Sequence, residues 1–280
     1  MRKMKYTVSR MALNQMYVSY LSPILEYSSV VWDGCTENNS CLLEKIQHEA
    51  ARIVTGLTRS VSLQKLYREC GWVSLAERRK QQKLALMYKV THNLVPSYIT
   101  DLIPPYVYEI SAYPLRNRLD ISLPPIRTEI CKRSCIPSSI KLWNGLSNTT
   151  REINSLTAFK SNIKPPALHI PAYFNVGQRY ISVLHARLRN ECSNLNYDLY
   201  KNHLRQGALC SCSEERENAE HFFFKCSKFE TQRLVLFHST RIYHPINTTL
   251  LLFGNESLSV EDNTTICKTV LHYIKSTKRF

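Results

Sequence analysis

The sequence predicts a mostly α-helical protein of two helical lobes joined by a proline-rich connector. Apolar residues recur at helical spacing in residues 1–95 and 169–280, and capping residues bound the periodic segments. Ten of the twelve prolines lie between Pro96 and Pro171. Only 7 residues are Gly, which argues against a hairpin-rich all-β fold, because tight hairpin turns need positive φ angles.

Length and composition limit the class of protein further. A chain of 280 residues is long enough for about two domains. Hydrophobic residues make up 44% of it, so it can build a core and is not a disordered polycation. No stretch approaches ~18 consecutive apolar residues, so we expect no membrane span. The net charge of +15 favours a polyanionic partner, such as RNA or DNA.

The first region, residues 1–95, predicts a bundle of helices. Ser and Pro at a helix start, and Gly just after a helix end, are the usual boundary residues. Ser74-Leu75-Ala76-Glu77 has the pattern of a capping box and opens a long helix whose inner face carries Leu84, Met87 and Tyr88. The two earlier helices are predicted to run from Ser22-Pro23 to Gly34 and from Ser40 to Gly56.

The long helix carries a group of basic residues. These are Arg78, Arg79, Lys80 and Lys83. They form either a solvated face that keeps the helix soluble or a ridge that contacts nucleic-acid phosphates.

The middle region, residues 96–168, is predicted to be an extended and partly packed connector. The pairs Pro104-Pro105, Pro124-Pro125 and Pro165-Pro166 leave little room for helices longer than two turns. We expect Leu142-Trp143-Asn144 to anchor the connector to a core, and Thr157–Asn162 to form a short helix.

The third region, residues 169–280, returns to helical spacing. Ile181, Leu184 and Leu188 define one apolar face, and Leu195, Leu199 and Leu204 continue the pattern. A last amphipathic helix carries Ile266, Val270, Tyr273 and Ile274. Three basic side chains flank the first of these helices and are further candidates for nucleic-acid binding: Arg179, Arg187 and Arg189.

The chain has ten cysteines, which could be either oxidised to disulfides or reduced. Their spacing is irregular, and the basic residues at the N-terminus are not followed by the apolar segment of a signal peptide. We therefore expect a reduced protein of the nucleus or cytoplasm that is not secreted. A secreted disulfide protein is the distant alternative.

One cluster of residues predicts a metal site. Cys210, Cys212, His221 and Cys226 supply three thiolates and an imidazole, the ligands of a closed tetrahedral Zn²⁺ site. They lie in a segment of about residues 205–233, which would form a zinc knuckle in the C-terminal lobe. The other possibilities are a chance grouping or disulfide bonds. Acidic residues nearby could orient the histidine from outside the metal shell: Glu214, Glu215, Glu217 and Glu220.

Six sets of residues follow one another along nearly the whole chain. They are Tyr17–Tyr27 with Val31-Trp32, Leu43–Gln47 with Ala51–Gly56, Leu75–Arg79, Tyr113–Asn117 with Pro137–Ile140 and Leu142–Asn144, Leu184–Arg189 with the Cys-Cys-His-Cys set, and Ile274–Phe280. In this order they resemble the C-terminal third of the polyprotein of jockey-like non-LTR retrotransposons, the part downstream of the reverse transcriptase palm. Each set is modest alone, and their order carries the resemblance.

The resemblance implies a thumb-like bundle, a connector and a zinc knuckle that together hold template RNA and target DNA during target-primed reverse transcription. The upstream reverse transcriptase domain would be a partner within the same polyprotein. The chain departs from the family pattern because it has no Tyr-x-Asp-Asp. Its five aspartates are isolated in sequence: Asp33, Asp101, Asp120, Asp198 and Asp262. We therefore expect a fragment without polymerase or endonuclease activity of its own.

Two other functions stay open. A nuclease or polymerase with an unrecognised site would bring acidic side chains together in a basic cleft. A protein–protein interaction module, in which zinc only stabilises the fold, would bind its partner with little dependence on salt.

Overall fold

Helices make up most of the chain in a computed structural model that describes residues 1–113, 117–123, 125–166 and 169–280. The prediction of a mostly α-helical protein is confirmed. The described residues contain two isolated antiparallel bridges, Tyr106 with Ile121 and Leu209 with Arg216, and no longer strand. None of the helices in these ranges is both long and apolar enough to cross a membrane.

The α-helices are numbered here in chain order. They are α1 (Arg10–Met16), α2 (Ser22–Glu26), α3 (Ser29–Trp32), α4 (Glu37–Thr55), α5 (Leu63–Cys70), α6 (Leu75–Thr91), α7 (Ser97–Thr100), α8 (Val107–Ile110), α9 (Glu129–Arg133), α10 (Cys135–Asn144), α11 (Asn148–Arg151), α12 (Leu156–Asn162), α13 (Arg179–Arg189), α14 (Asn196–Lys201), α15 (Glu230–Thr240), α16 (Thr248–Phe253) and α17 (Val260–Ser276). Short π-helical segments span Tyr17–Leu21 and His221–Lys225.

The chain divides into two compact units, and both are discontinuous in sequence. One comprises Met1–Ser19, His48–Trp72 and Leu168–Phe280, and the other comprises Tyr20–Gln47 and Val73–Ala167. This division differs from the predicted boundary at residues 95 and 96, because residues 1–95 contribute to both units. We call them the knuckle unit and the α6 unit.

The core of the knuckle unit has two parts. The larger part packs α13, α15, α16 and α17 around fully buried Leu195, Phe222, Phe223 and Val270. The smaller part joins Ala51, Leu57 and Leu66 to Ala186 and Cys192. The C-terminal region of the chain therefore shares its core with residues 48–72.

The core of the α6 unit forms where α10 and α12 pack on α6. Trp143 is buried there, as predicted for the anchor of the middle region, and the side chain of Asn144 bonds both the N–H and the carbonyl of Ile121. The middle region differs from an extended connector because it supplies the ten-residue helix α10. Pro137 lies in the first turn of α10, where the missing N–H costs no helical hydrogen bond.

Several predicted helix boundaries are confirmed. The Ser74 side chain accepts a hydrogen bond from the Glu77 N–H at the start of α6. Gly56 follows α4 with φ of 79°, a left-handed conformation that Gly adopts without strain. The short helix predicted at Thr157–Asn162 is α12, and Phe159 is buried.

Other boundaries were wrong. The helix predicted from Ser22 to Gly34 is broken at Ser28, which has φ of 48°. Ser40 lies inside α4 rather than at its start, and Thr36 accepts the N-terminal hydrogen bond from the Asn39 N–H instead. Leu204 is exposed rather than part of an apolar face. Residues 114–116 of the resemblance, Pro124 of the connector and the connector's last two residues, 167 and 168, lie outside the described residues.

Candidate functional site

Cys210 and Cys212 lie on a tight turn between two paired segments. The Cys210 N–H donates to Glu215 O over 2.9 Å, and the Glu217 N–H donates to Ala208 O over 2.8 Å. Ser213 has φ of 68° and allows the chain to reverse. The turn presents both thiols toward the same side, where the histidine lies.

His221 and Cys226 lie at the two ends of the following helical turn. The Asn218 side chain accepts from the His221 N–H over 2.8 Å and caps the turn. The Cys226 N–H donates to His221 O over 2.8 Å, which brings the second ligand back beside the first. Phe222 and Phe223, between them, are fully buried in the core of the knuckle unit.

The four side chains meet at one point. Their ligand atoms all lie within 4.8 Å of one another. Cys210 Sγ is 3.6 Å from Cys226 Sγ, and Cys212 Sγ is 3.2 Å from His221 Nε2. A tetrahedral Zn²⁺ site would place such pairs about 3.8 Å and 3.6 Å apart. The separations fit a shared metal ion, and at 3.6 Å the thiols of Cys210 and Cys226 are free and not disulfide-bonded in this structure.

Burial changes the acidity of two of the cluster's thiols. Burial raises the pKa of the Cys210 thiol to about 12 and also raises the pKa of Cys226. A bound divalent cation would reverse this balance, because it stabilises thiolates directly. His221 Nδ1 is buried without a hydrogen-bond partner, and Glu215 Oε2 lies 3.9 Å from it.

Of the four acidic residues near the knuckle, Glu217 has the most definite role. Its carboxylate accepts two 2.6 Å hydrogen bonds from the Arg279 guanidinium and one of 2.8 Å from the Asn196 N–H. It therefore fixes the C-terminus beside the knuckle and is not free to orient His221. Glu215 and Glu220 both pair with Lys225 on the surface.

The donor set could hold a metal in a closed structural site. Four protein ligands fill a tetrahedral shell and leave no open position for substrate. In the part of the chain that the structure describes, this is the one group of three or more Cys, His, Asp or Glu residues arranged to hold an ion.

The four basic residues of α6 lie in two different environments. Arg79 and Lys83 are 3% and 4% exposed and both bind Asp33, at 2.5 Å and 2.6 Å. Arg78 pairs with Glu26 at 2.8 Å, and exposed Lys80 pairs with Glu77. Of the four residues predicted to form a solvated face or a phosphate-binding ridge, only Arg78 and Lys80 are therefore available at the surface.

The three basic residues of α13 are also held inside the knuckle unit. Arg189 is buried and binds Glu69 at 2.6 Å. Arg179 donates to the carbonyls of Lys5 and Ile53, and Arg187 donates to Gly56 O. Arg179 and Arg187 are partly exposed, so their charges still reach the surface, whereas that of Arg189 does not.

The carboxylates that pair with these buried cations were not predicted from the sequence. Asp33 and Glu69 stand 46 and 120 residues from Arg79 and Arg189, so no local spacing marks them as partners. A buried Arg or Lys requires an acidic partner, and that requirement is the signal that would have pointed to them.

Comparisons with known proteins gave no match: no family model, no curated protein and no solved structure is similar to this chain. The function of this protein is therefore inferred from its residues and their geometry.

Proposed function

We propose that Cys210, Cys212, His221 and Cys226 bind one Zn²⁺ ion that stabilises the fold of the knuckle unit. The observation that carries this proposal is the convergence of four ligand atoms within 4.8 Å. Thiolate and imidazole ligands favour zinc over the oxygen-seeking Mg²⁺ and Ca²⁺. The metal would act as a structural cross-link between the Cys210–Cys212 turn and the His221–Cys226 turn.

We propose further that the protein binds nucleic acid as the C-terminal part of a non-LTR retrotransposon RNA-directed DNA polymerase. The resemblance to jockey-like elements, the net charge of +15 and the pairing of a basic chain with a zinc knuckle support this function. On this proposal the protein acts in the nucleus or cytoplasm. It holds template RNA and target DNA while an upstream reverse transcriptase domain supplies the catalytic site.

The direct test is binding of fluorescent single-stranded and structured RNA and DNA oligonucleotides at several salt concentrations. Affinity should depend weakly on sequence and fall with salt, with each neutralised phosphate adding about 0.7–0.9 to the slope of log affinity against log salt. The absence of binding at low salt would overturn the proposal.

The alternative is a protein–protein interaction module in which zinc only stabilises the fold. It is favoured by the acidic surroundings of the knuckle, where Lys225 is already paired with Glu215 and Glu220. Those carboxylates would repel a phosphate backbone. Capture of a protein partner with an affinity that salt leaves unchanged would support this alternative.

A further inference from the structure

A pocket of about 260 Å³ lies in the knuckle unit, away from the cysteine cluster. Its walls come from the N-terminal residues, the end of α4, the loop after α4, and α13. One carboxylate, Glu49, lines it together with six cationic side chains: Arg2, Lys5, Arg52, Arg59, Arg179 and Arg187.

Glu49 does not neutralise this pocket. Arg2, Arg52 and Arg59 approach the same carboxylate at 3.4, 3.2 and 3.3 Å. Three guanidinium groups around one carboxylate leave a net positive charge. The Nε of Arg52 is buried without a hydrogen-bond partner.

The other wall is also positive. Arg179 and Arg187 are held by backbone carbonyls, at 2.7 Å from Ile53 O and 2.8 Å from Gly56 O. Carbonyls fix the orientation of these side chains but carry no full charge to balance them. Burial and the nearby charges of Arg10 and Arg187 lower the pKa of Arg179 to about 10. An anion in the pocket would relieve this repulsion.

We infer that this pocket binds a phosphate group of a nucleic-acid strand. Guanidinium groups match phosphate oxygens with paired hydrogen bonds, and arginine predominates among the pocket's cations. This inference rests on the proposed function and gives it a contact site different from the α6 face. Arg2 and Arg59 are 76% and 80% exposed at the pocket rim, so a strand can reach them.

The test compares two double variants of the full-length zinc-loaded protein. Arg2→Gln/Arg59→Gln removes two rim cations that share Glu49. The matched control, Lys132→Gln/Arg133→Gln, removes two exposed cations that share Glu129 on α9. Both variants lose the same charge, and neither touches a buried residue. The pocket variant should weaken oligonucleotide binding about tenfold and lower the salt slope by about 1 for each cation removed, while the control changes affinity less than twofold.

Arginine modification by phenylglyoxal, mapped by mass spectrometry, gives an independent measurement on the wild-type protein. A bound oligonucleotide should slow modification of Arg2 and Arg59 at least fivefold and leave Arg133 unchanged. Binding without this protection, or equal losses of affinity in the two variants, overturns the inference and leaves the proposed function standing. Failure of every oligonucleotide to bind overturns both.

Discussion

Cys226 is the residue whose removal tests the metal site most directly. It is fully buried, and its thiol lies 3.6 Å from that of Cys210. Purified protein should contain one zinc ion per chain, and Cys226→Ser should lose it. Structural zinc in small knuckles contributes roughly 10–16 kcal/mol, so chelation should unfold the local segment. Metal analysis and circular dichroism give the two measurements.

The control is Cys131→Ser, which removes an exposed thiol outside the cluster and should keep its zinc. Two results would contradict the site: purified protein without zinc, or cysteines of the cluster oxidised in pairs.

Glu69 is the second residue that deserves a measurement, because it is buried between Arg10 and Arg189. Burial acts to raise its pKa, but the charges of the two arginines outweigh burial and lower the pKa from 4.5 to about 2. Stability from this network is therefore complete above pH 4.5 and is lost as pH falls from about 4.5 to about 2. His185 adds to this loss, since burial and Arg189 lower its pKa from 6.5 to about 3. The contribution of His185 to stability is lost as pH falls from 6.5 to about 3.

Replacing Glu69 should separate its effect on the pH dependence of stability from that of His185. Glu69→Gln leaves two buried guanidinium groups without their anion and should cost roughly 3–5 kcal/mol at pH 7. The remaining pH dependence should come mainly from His185. Glu191→Gln removes an exposed carboxylate that pairs with Lys65 and Lys201, and it should cost less than about 1 kcal/mol. Urea unfolding between pH 3 and pH 8 measures both variants. Equal costs would contradict the role of Glu69.

At the scale of the element, α6 carries two pairs of cations with different roles. Arg79 and Lys83 are four residues apart, so they lie on one face of the helix, and both bind Asp33. Arg79→Gln/Lys83→Gln should lower the free energy of unfolding by about 1–3 kcal/mol, because Asp33 loses its ionic partners.

Arg78→Gln/Lys80→Gln is the matched control on the same helix, with the same change in charge. It should cost less than about 1 kcal/mol in stability, and any effect on oligonucleotide binding should come from this pair. Denaturation and binding measured on both variants separate stability from contact. Greater destabilisation by the control pair would show that the assignment of the two faces is wrong.

The segment of residues 20–32, which includes α2 and α3, exposes apolar side chains that nothing covers in the part of the chain that the structure describes. Tyr20, Ile24, Tyr27 and Val31 are all more than two-thirds exposed, whereas Leu25 is buried. Ile24→Ala should therefore change stability by less than about 0.5 kcal/mol. Leu25→Ala should cost about 2–5 kcal/mol, since it leaves a cavity. Thermal unfolding of the two variants checks this contrast, and a similar loss in both would mean that Ile24 is packed.

At the scale of the whole molecule, the sequence predicts the features that depend on residues close together along the chain. The zinc ligands lie within 17 residues of one another, and the caps at Ser74 and Asn218 bond N–H groups only three residues away. The burial of Arg79, Lys83 and Arg189 depends on Asp33 and Glu69, which are distant in sequence. Helical spacing predicts which face of a helix carries a cation, but it does not show which residues pack against that face.

The division into two discontinuous units could not be predicted from the sequence patterns either. Composition divides the chain at Pro96 because prolines become frequent there, and the described fold builds the core of the α6 unit from both sides of that point. The break at Ser28, where φ is positive, is marked by no neighbouring glycine or proline in the sequence.

Because residues 48–72 belong to the knuckle unit, a fragment of residues 169–280 should keep only part of its structure. Its larger core and all four zinc ligands lie within the fragment, so it should bind zinc. It lacks Glu69, so Arg189 would lose its anionic partner there. The substitution Arg189→Met should therefore have opposite effects in the two contexts. In the full chain it should destabilise by roughly 1–3 kcal/mol, since Glu69 keeps Arg10 but loses one of its two cationic partners, whereas in the fragment it should be neutral or stabilising. Urea unfolding of the four zinc-loaded proteins measures the sign, and destabilisation of the fragment by the same amount would show that Arg189 contributes through packing rather than through Glu69.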